Sequence, residues 1–192
     1  MKKLVQKLIN KFYKLFRVKL YTVLSDKVKI FGALHKHQPV LFKGRGEIYF
    51  GHCVEVGVFN SPLFYNTTAY LEVRNENARI KIGNHVKINN NFCLICDKTE
   101  IIIGNKVLIG FNVTIIDSDF HSLIPEERQG TKYACCAVNI SDNVFIGSDV
   151  KIFKGVSIGE NTVIAAGSVV TKSFGSNLVV GGNPARQISE IK

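Results

Sequence analysis

Residues 140–174 read ISDNVF IGSDVK IFKGVS IGENTV IAAGSV VTKSF. An aliphatic residue opens each full hexad: Ile140, Ile146, Ile152, Ile158 and Ile164, with Val170 next in phase. Val144, Val150 and Val156 recur four places behind their leaders, and a small residue (Gly147, Gly159, Ala165) often comes directly after one. An amphipathic helix needs an apolar period near 3.6, and a half-buried strand a period of 2. A sustained period of six fits neither. It marks a β-solenoid, in which each hexad makes one short strand and one corner. The leader points inward and stacks on its counterparts in the coils above and below. The small residue after it suits a tight bend, where glycine carries no steric penalty.

Towards the N terminus the same beat appears at Phe50-Gly51 and Val56-Gly57, at Ile82-Gly83, Ile88 and Leu94, and at Ile103-Gly104, Ile109-Gly110 and Ile115. Two stretches break it. Residues 58–72 (VFNSPLFYNTTAYLE) are an aromatic-rich insertion, either a loop lining a cleft or a bulky coil corner. Residues 117–139 (DSDFHSLIPEERQGTKYACCAVN) are polar, contain Pro125 and Gly130, and must project from the solenoid. Excursions of this length are uncommon unless they serve a function, and this one carries His121 near its root.

Residues 1–24 have the pattern of an amphipathic helix. Leu4, Leu8, Phe12, Phe16 and Leu20 recur at i+4 with Val5, Ile9 and Tyr13 beside them, and Lys and Arg fill the remaining face. Such a helix packs on the solenoid or on a sister subunit, or lies on an anionic membrane surface, the remaining alternative being a disordered basic tail. The helical pattern stops at residues 32–39 (GALHKHQP), which read as a turn with His35 and His37 solvated. At the other end Gly181-Gly182-Asn183-Pro184 breaks the solenoid. The expected organisation is therefore a basic arm over 1–45, a solenoid body over 46–178 with the loop 117–139, and a tail over 179–192.

The 192 residues suit one domain, and an apolar fraction of 46% sustains a core. No apolar run approaches the roughly 18 residues of a spanning helix. The net charge of +10 is concentrated: residues 1–45 carry twelve Lys and Arg against Asp26 alone, and the rest holds 13 basic and 14 acidic residues. A near-neutral body argues against a nucleic-acid surface there. Lys interrupts the N-terminal apolar residues every few positions, so no secretory signal is expected, and the five Cys read as free thiols in a reducing cytosol. Cys93-x-x-Cys96 has no second ligand pair and Cys135-Cys136 are adjacent, a pattern of buried small hydrophobes rather than a zinc site.

IGNKVLIGFNVTIIDSDFHSL (103–123), NVFIGSDVKIFKGVSIGENTVIAAGSVVTK (143–172) and GGNPAR (181–186) together resemble the hexapeptide-repeat acyltransferases. The likeness is greatest to the maltose and galactoside O-acetyltransferases and the related capsule and exopolysaccharide acetyltransferases, and it covers residues 82–188. The resemblance implies an all-β fold, a left-handed parallel β-helix with three hexads per coil, assembled as a homotrimer. Left-handed parallel crossovers are exceptional, so the handedness rests on the resemblance and not on the period. It also implies acetyl-CoA as donor, lying in a groove between subunits, and no metal. The implied reaction is O-acetylation of a sugar hydroxyl in surface-polysaccharide biosynthesis. The acceptor is a sugar, a sugar nucleotide or a lipid-linked glycan, and the enzyme is cytoplasmic, in peripheral contact with the membrane if residues 1–24 bind it. The alternatives are an amino-sugar N-acetyltransferase and a non-catalytic scaffold. The γ-class carbonic anhydrases share the solenoid, but His52, His85 and His121 do not reproduce their ligand spacing.

A sugar hydroxyl is a weak nucleophile and must lose its proton as it attacks a thioester, a task suited to a neutral imidazole. His121 matches the family's catalytic His. Asp117 and Asp119 flank it, and either can hold the other ring nitrogen or simply form the turn. Asn89 matches the family's acceptor-binding Asn, with Asn90 and Asn91 kept open because the register slips nearby. Ser148, Ala166, Thr171, Lys172 and Arg186 match its CoA contacts. Small residues at 148 and 166 let a pantetheine arm approach the backbone, and Lys172 and Arg186 supply charge for phosphates. Two departures stand out: Phe145 where many relatives carry Trp, and Ser189 where a second basic residue is common.

Overall fold

The structure, a computed structural model, describes residues 2–191. Within the regular stretch every hexad leader is buried and pairs in parallel with the leader eighteen residues on: Ile140 with Ile158, Ile146 with Ile164, Ile152 with Val170. Three hexads therefore complete one turn, and the turns stack into a three-sided prism whose sheets, parallel except at the last strand of the second, have six, eight and six strands. The first sheet opens with Lys29–Phe31, the second with Leu34–Lys36 and the third with Val40–Gly44. Ile, Val and Leu from all three walls fill the interior, each worth about 1.5–3 kcal/mol on burial.

The corners refine the reading of the small residues. Gly110 and Gly147 do not adopt positive φ. Coil stacking demands them instead: a Cβ on Gly110 would lie 2.5 Å from the Ser148 backbone nitrogen, and one on Gly147 2.6 Å from that of Ala166. The left-handed position comes two residues after the glycine and is held by Asn112 (φ 57°) and Asp149 (φ 60°), residue types that tolerate it. These residues also tie the coils together, since Asn112 Nδ2 donates to Asp149 Oδ1 at 2.6 Å.

Several boundaries move. The helix is Lys2–Leu24, and the prism begins at Lys29–Phe31, so the arm expected to reach 45 gives up its last third to the first coil. His35 lies in the strand Leu34–Lys36, which pairs with Val54–Val56, and not in a free turn. A terminal coil has a neighbour on one side only, so its first strand, Lys29–Phe31, stays exposed and looks like loop. Ala69–Val73 belongs to the third sheet, which confines the insertion to 58–68. The long loop ends at 137, because Val138–Ile140 is already a strand. The tail is an added hairpin: Leu178–Gly182 runs parallel to Val163–Ile164, and Ala185–Glu190 returns antiparallel to it.

Candidate active site

Each turn of the prism has three corners, which stack into three long edges. The edge between the third and first sheets carries residues 97–99, the long loop, and 171–173. Asp117, at the loop's root, is fully buried. Its Oδ1 accepts the Asp97 N–H at 2.7 Å, and its Oδ2 accepts from Thr99 N at 3.0 Å and Thr99 Oγ1 at 2.8 Å. One carboxylate thus satisfies the corner that the departing loop leaves uncovered. Asp97 is buried behind it and accepts from Asn75 Nδ2 at 2.8 Å and Ser118 Oγ at 3.3 Å.

His121 stands exposed beyond this root, and its Nδ1 lies 2.9 Å from the Arg128 carbonyl oxygen. A carbonyl only accepts, so Nδ1 carries the proton and Nε2 of the neutral ring is left with its lone pair. The expectation that Asp117 or Asp119 orients the ring is corrected. Asp117 spends its oxygens on the backbone of Asp97 and Thr99 and on the Thr99 hydroxyl, and Asp119 pairs with Lys154 at 3.0 Å. The main chain of the loop itself fixes the tautomer.

The residue before it supplies the second constraint, one that the sequence reading missed. Phe120 has φ 60°, a conformation costly for an aromatic side chain. Its N–H donates to Ser118 Oγ at 2.9 Å, and the Arg74 guanidinium sits over its ring, 4.6 Å from the centroid. Arg74 is itself held by Glu72, with Nε to Oε1 at 2.7 Å and Nη2 to Oε2 at 3.3 Å. That carboxylate raises the Arg74 pKa and keeps the guanidinium charged. Tyr70 donates to the same carboxylate at 3.0 Å, and burial followed by this bond pushes its phenol up to about 12. Glu72 and Arg74 alternate with the buried Leu71 and Val73, the only sequence signal that they share an outward face.

The structure separates the three asparagines. Asn90 is fully buried and staples the insertion, accepting from Val58 N at 2.9 Å and donating to the carbonyls of Val58 and Pro62 at 2.9 and 2.8 Å. Asn91 sits at a left-handed corner and donates to Asn112 Oδ1 at 2.8 Å. Asn89 lies in a small cleft of about 180 Å³ with Val58, Leu108 and Phe145. Of the three, Asn89 alone lines an open cleft.

The sequence-matched residues fall on two edges. Asn89, Ser148 and Ala166 follow one another up the edge between the second and third sheets. His121, Thr171 and Lys172 belong to the edge between the third and first, and Arg186 is exposed on the terminal hairpin. A prism keeps its edges apart, so a single chain does not gather these residues into one site. The remaining edge holds a larger groove, about 600 Å³, lined by Asn84, Asn105 and Asp142 among others. Its polar atoms bond one another and hold the coils together.

Burial pushes the Cys93 thiol up to about 11 and raises that of Cys96 further, so neither is a ready nucleophile at neutral pH. Only Cys96 is fully buried; Cys53 and Cys136 are exposed, which corrects the picture of the Cys135-Cys136 pair as core. Among the described residues no group of three or more His, Cys, Asp or Glu converges as a metal cluster would, and no helix is long and apolar enough to cross a membrane.

Comparison with known proteins gives concordant matches. A family profile for the hexapeptide repeat of succinyl-transferase matches residues 137–172. Galactoside O-acetyltransferase of Escherichia coli K12 is 41% identical over 114 residues, 59% of this chain and 55% of that protein. The chain spans about half the length of the curated relatives it matches. A hexapeptide-repeat acetyltransferase of Vibrio cholerae, crystallised with acetyl-CoA, is 31% identical with a TM-score of 0.51, over 74% of this chain and 70% of that one. A galactoside acetyltransferase in complex with coenzyme A is 25% identical with a TM-score of 0.52, over 96% and 80%.

Proposed function

The chain belongs to the hexapeptide-repeat acetyltransferase family, with its left-handed β-helix, and from that premise we propose that it transfers the acetyl group of acetyl-CoA to a sugar hydroxyl. The observation that carries the reading is the Nδ1 contact of His121 with the Arg128 carbonyl. It leaves Nε2 free to take a proton, and the loop root beneath holds the ring's backbone in place. In the reaction Nε2 removes the acceptor's hydroxyl proton as that oxygen attacks the thioester carbonyl. The tetrahedral intermediate collapses with loss of the coenzyme A thiolate, and the proton on Nε2 passes to the sulfur. Acetyl ester and free thiol are the products.

Asn89 is assigned to positioning the acceptor. Ser148, Ala166, Thr171, Lys172 and Arg186 are assigned to the donor, the last two facing its phosphates. The division of these residues between two edges supports a homotrimer, in which one edge of a subunit meets a different edge of its neighbour. An outward column on the second sheet, Leu108, Phe145, Val163 and Val179, offers apolar surface for that meeting and for the pantetheine arm. Phe145 retains there the aromatic face that Trp gives many relatives. The acceptor belongs to a surface polysaccharide made from the cytoplasmic side, as a sugar, a sugar nucleotide or a lipid-linked glycan.

The test is thiol release from acetyl-CoA across a panel of sugars, sugar nucleotides and amino sugars, with light scattering for the mass. Release dependent on a hydroxyl acceptor, lost in His121→Ala, is expected from a trimer. Release with amino sugars alone makes the enzyme an N-acetyltransferase. No release with any acceptor, or a monomer with full activity, overturns the reading.

A further inference from the structure

The N-terminal helix is mounted the wrong way round for a soluble surface helix, which normally turns its apolar stripe onto the body. Here the docked face is mostly polar, with Val18 and Tyr21 half-buried beside the polar residues. Arg17 donates to the carbonyls of Phe64, Tyr65 and Thr67 at 3.1, 2.7 and 2.5 Å. The Tyr13 hydroxyl donates to the Tyr65 carbonyl at 2.6 Å, and the Tyr65 hydroxyl to Asn10 Oδ1 at 3.1 Å. Lys14 Nζ meets His37 Nδ1 at 3.2 Å. Asn10, Tyr13, Lys14 and Arg17 share one side of the helix, which rests on the insertion 58–68 and the first coil. At about 100° per residue, Leu8, Phe12, Leu15 and Val23 fall on the opposite side, with Lys19 the one charge among them.

The exposures agree with that geometry. No residue of the helix is buried, and Leu8, Phe12 and Val23 are 60%, 74% and 80% exposed. The protein's own body therefore does not cover the stripe. A second copy of the same helix is a poor cover, because Lys2–Leu24 holds seven Lys and Arg and no acid, so pairing would set like charge against like. A surface that is apolar within and negative at its boundary complements it on both counts. Lys7 and Lys11 run along one border of the stripe, placed to reach headgroups while Leu8 and Phe12 enter the acyl boundary.

We propose that this outward stripe seats the protein on a bilayer surface rich in anionic lipid, with the helix lying in the plane of the interface and the prism held on its aqueous side. The proposal is independent of the transfer reaction, since it uses none of the residues assigned to donor or acceptor.

Flotation of the full-length chain with phosphatidylcholine vesicles, with and without phosphatidylglycerol, tests it. Wild type should float with the anionic vesicles only, and less so as salt is raised. Phe12→Glu, at a site free of packing, should abolish flotation while leaving the melting temperature and thiol release with a soluble acceptor unchanged. Lys7→Gln with Lys11→Gln should weaken binding roughly fivefold per charge. Failure of the wild type to float, or equal flotation of Phe12→Glu, overturns the proposal. A smaller mass for Phe12→Glu by light scattering also overturns it, by making the stripe a subunit contact. Neither flotation nor light scattering requires turnover, so a loss of the catalytic reading leaves the membrane result standing.

Discussion

Two edges of the prism solve one problem by opposite means. On the edge between the first and second sheets, Asn84, Asn105 and Asp142 form a ladder. Each side-chain oxygen accepts one backbone N–H from the coil before it, all at 2.8 Å: His52 to Asn84, Asn84 to Asn105, Asn105 to Asp142. On the edge between the third and first sheets the coil above is interrupted by the loop, and Asp117 alone takes the backbone of Asp97 and Thr99 and the Thr99 hydroxyl. Repetition spreads the satisfaction of polar groups over many interchangeable residues. Interruption concentrates it in one, and frees the chain beyond to carry a side chain into solvent. The comparison explains why the candidate base sits beyond Asp117 rather than on the ladder.

The largest expected effect separates chemistry from support. His121→Ala should lower acetyl transfer about 10²- to 10⁴-fold, the usual share of a general base. Its ring is exposed, so the urea midpoint should stay put. A variant that lost both would make His121 part of the scaffold. Next in size, Asp117→Ala leaves buried donors at the corner without an acceptor and should cost about 2–3 kcal/mol in urea unfolding. Asn105→Ala, on the ladder, should cost under about 1 kcal/mol, because water reaches that edge. Equal costs would break the contrast between concentrated and distributed support.

Arg74 gives a subtler reading of the same root. Its guanidinium fixes Phe120, and through Phe120 the backbone of His121, without reaching any substrate position assigned here. Arg74→Met should lower kcat several-fold with KM for acetyl-CoA unchanged, and Arg74→Lys should recover part of it. A change confined to KM would instead make Arg74 an acceptor contact.

Legibility follows the same division. The hexads from 140 onwards declare their strands and inward residues, because every coil repeats one solution and each position is seen several times. The loop root is not: Asp117, Phe120 and Arg74 each occur once, and Arg74 meets Phe120 from 46 positions away in sequence. The roles of Asn89, Asn90 and Asn91 are equally hidden in the run INNN, since only the position of each around the corner decides whether it binds the insertion, the next coil or a cleft. The helix is legible as amphipathic but not in its orientation, which depends on carbonyls at 64, 65 and 67 that no side-chain pattern announces.

The smallest effect tests whether the ladder is electrostatically as quiet as its amides imply. Asp142 is its one carboxylate, and the Asn105 side-chain and backbone hydrogen bonds hold its pKa below the ordinary 3.8. A carboxyl with a folded pKa below its unfolded one contributes stability that is present above the unfolded value and is lost as pH falls through the folded value. The loss should therefore begin just below pH 4 and be complete some way beneath it. Asp142 is exposed, so water screens most of the interaction and the loss should be slight. Other carboxylates titrate in the same window, and the informative quantity is the difference between wild type and Asp142→Asn, which keeps the acceptor oxygen and removes the proton. Wild type should be marginally more stable at pH 5, with the gap closing as the pH is lowered through the folded value. A gap that widens on acidification would mean that the edge opposite the loop relies on charge after all.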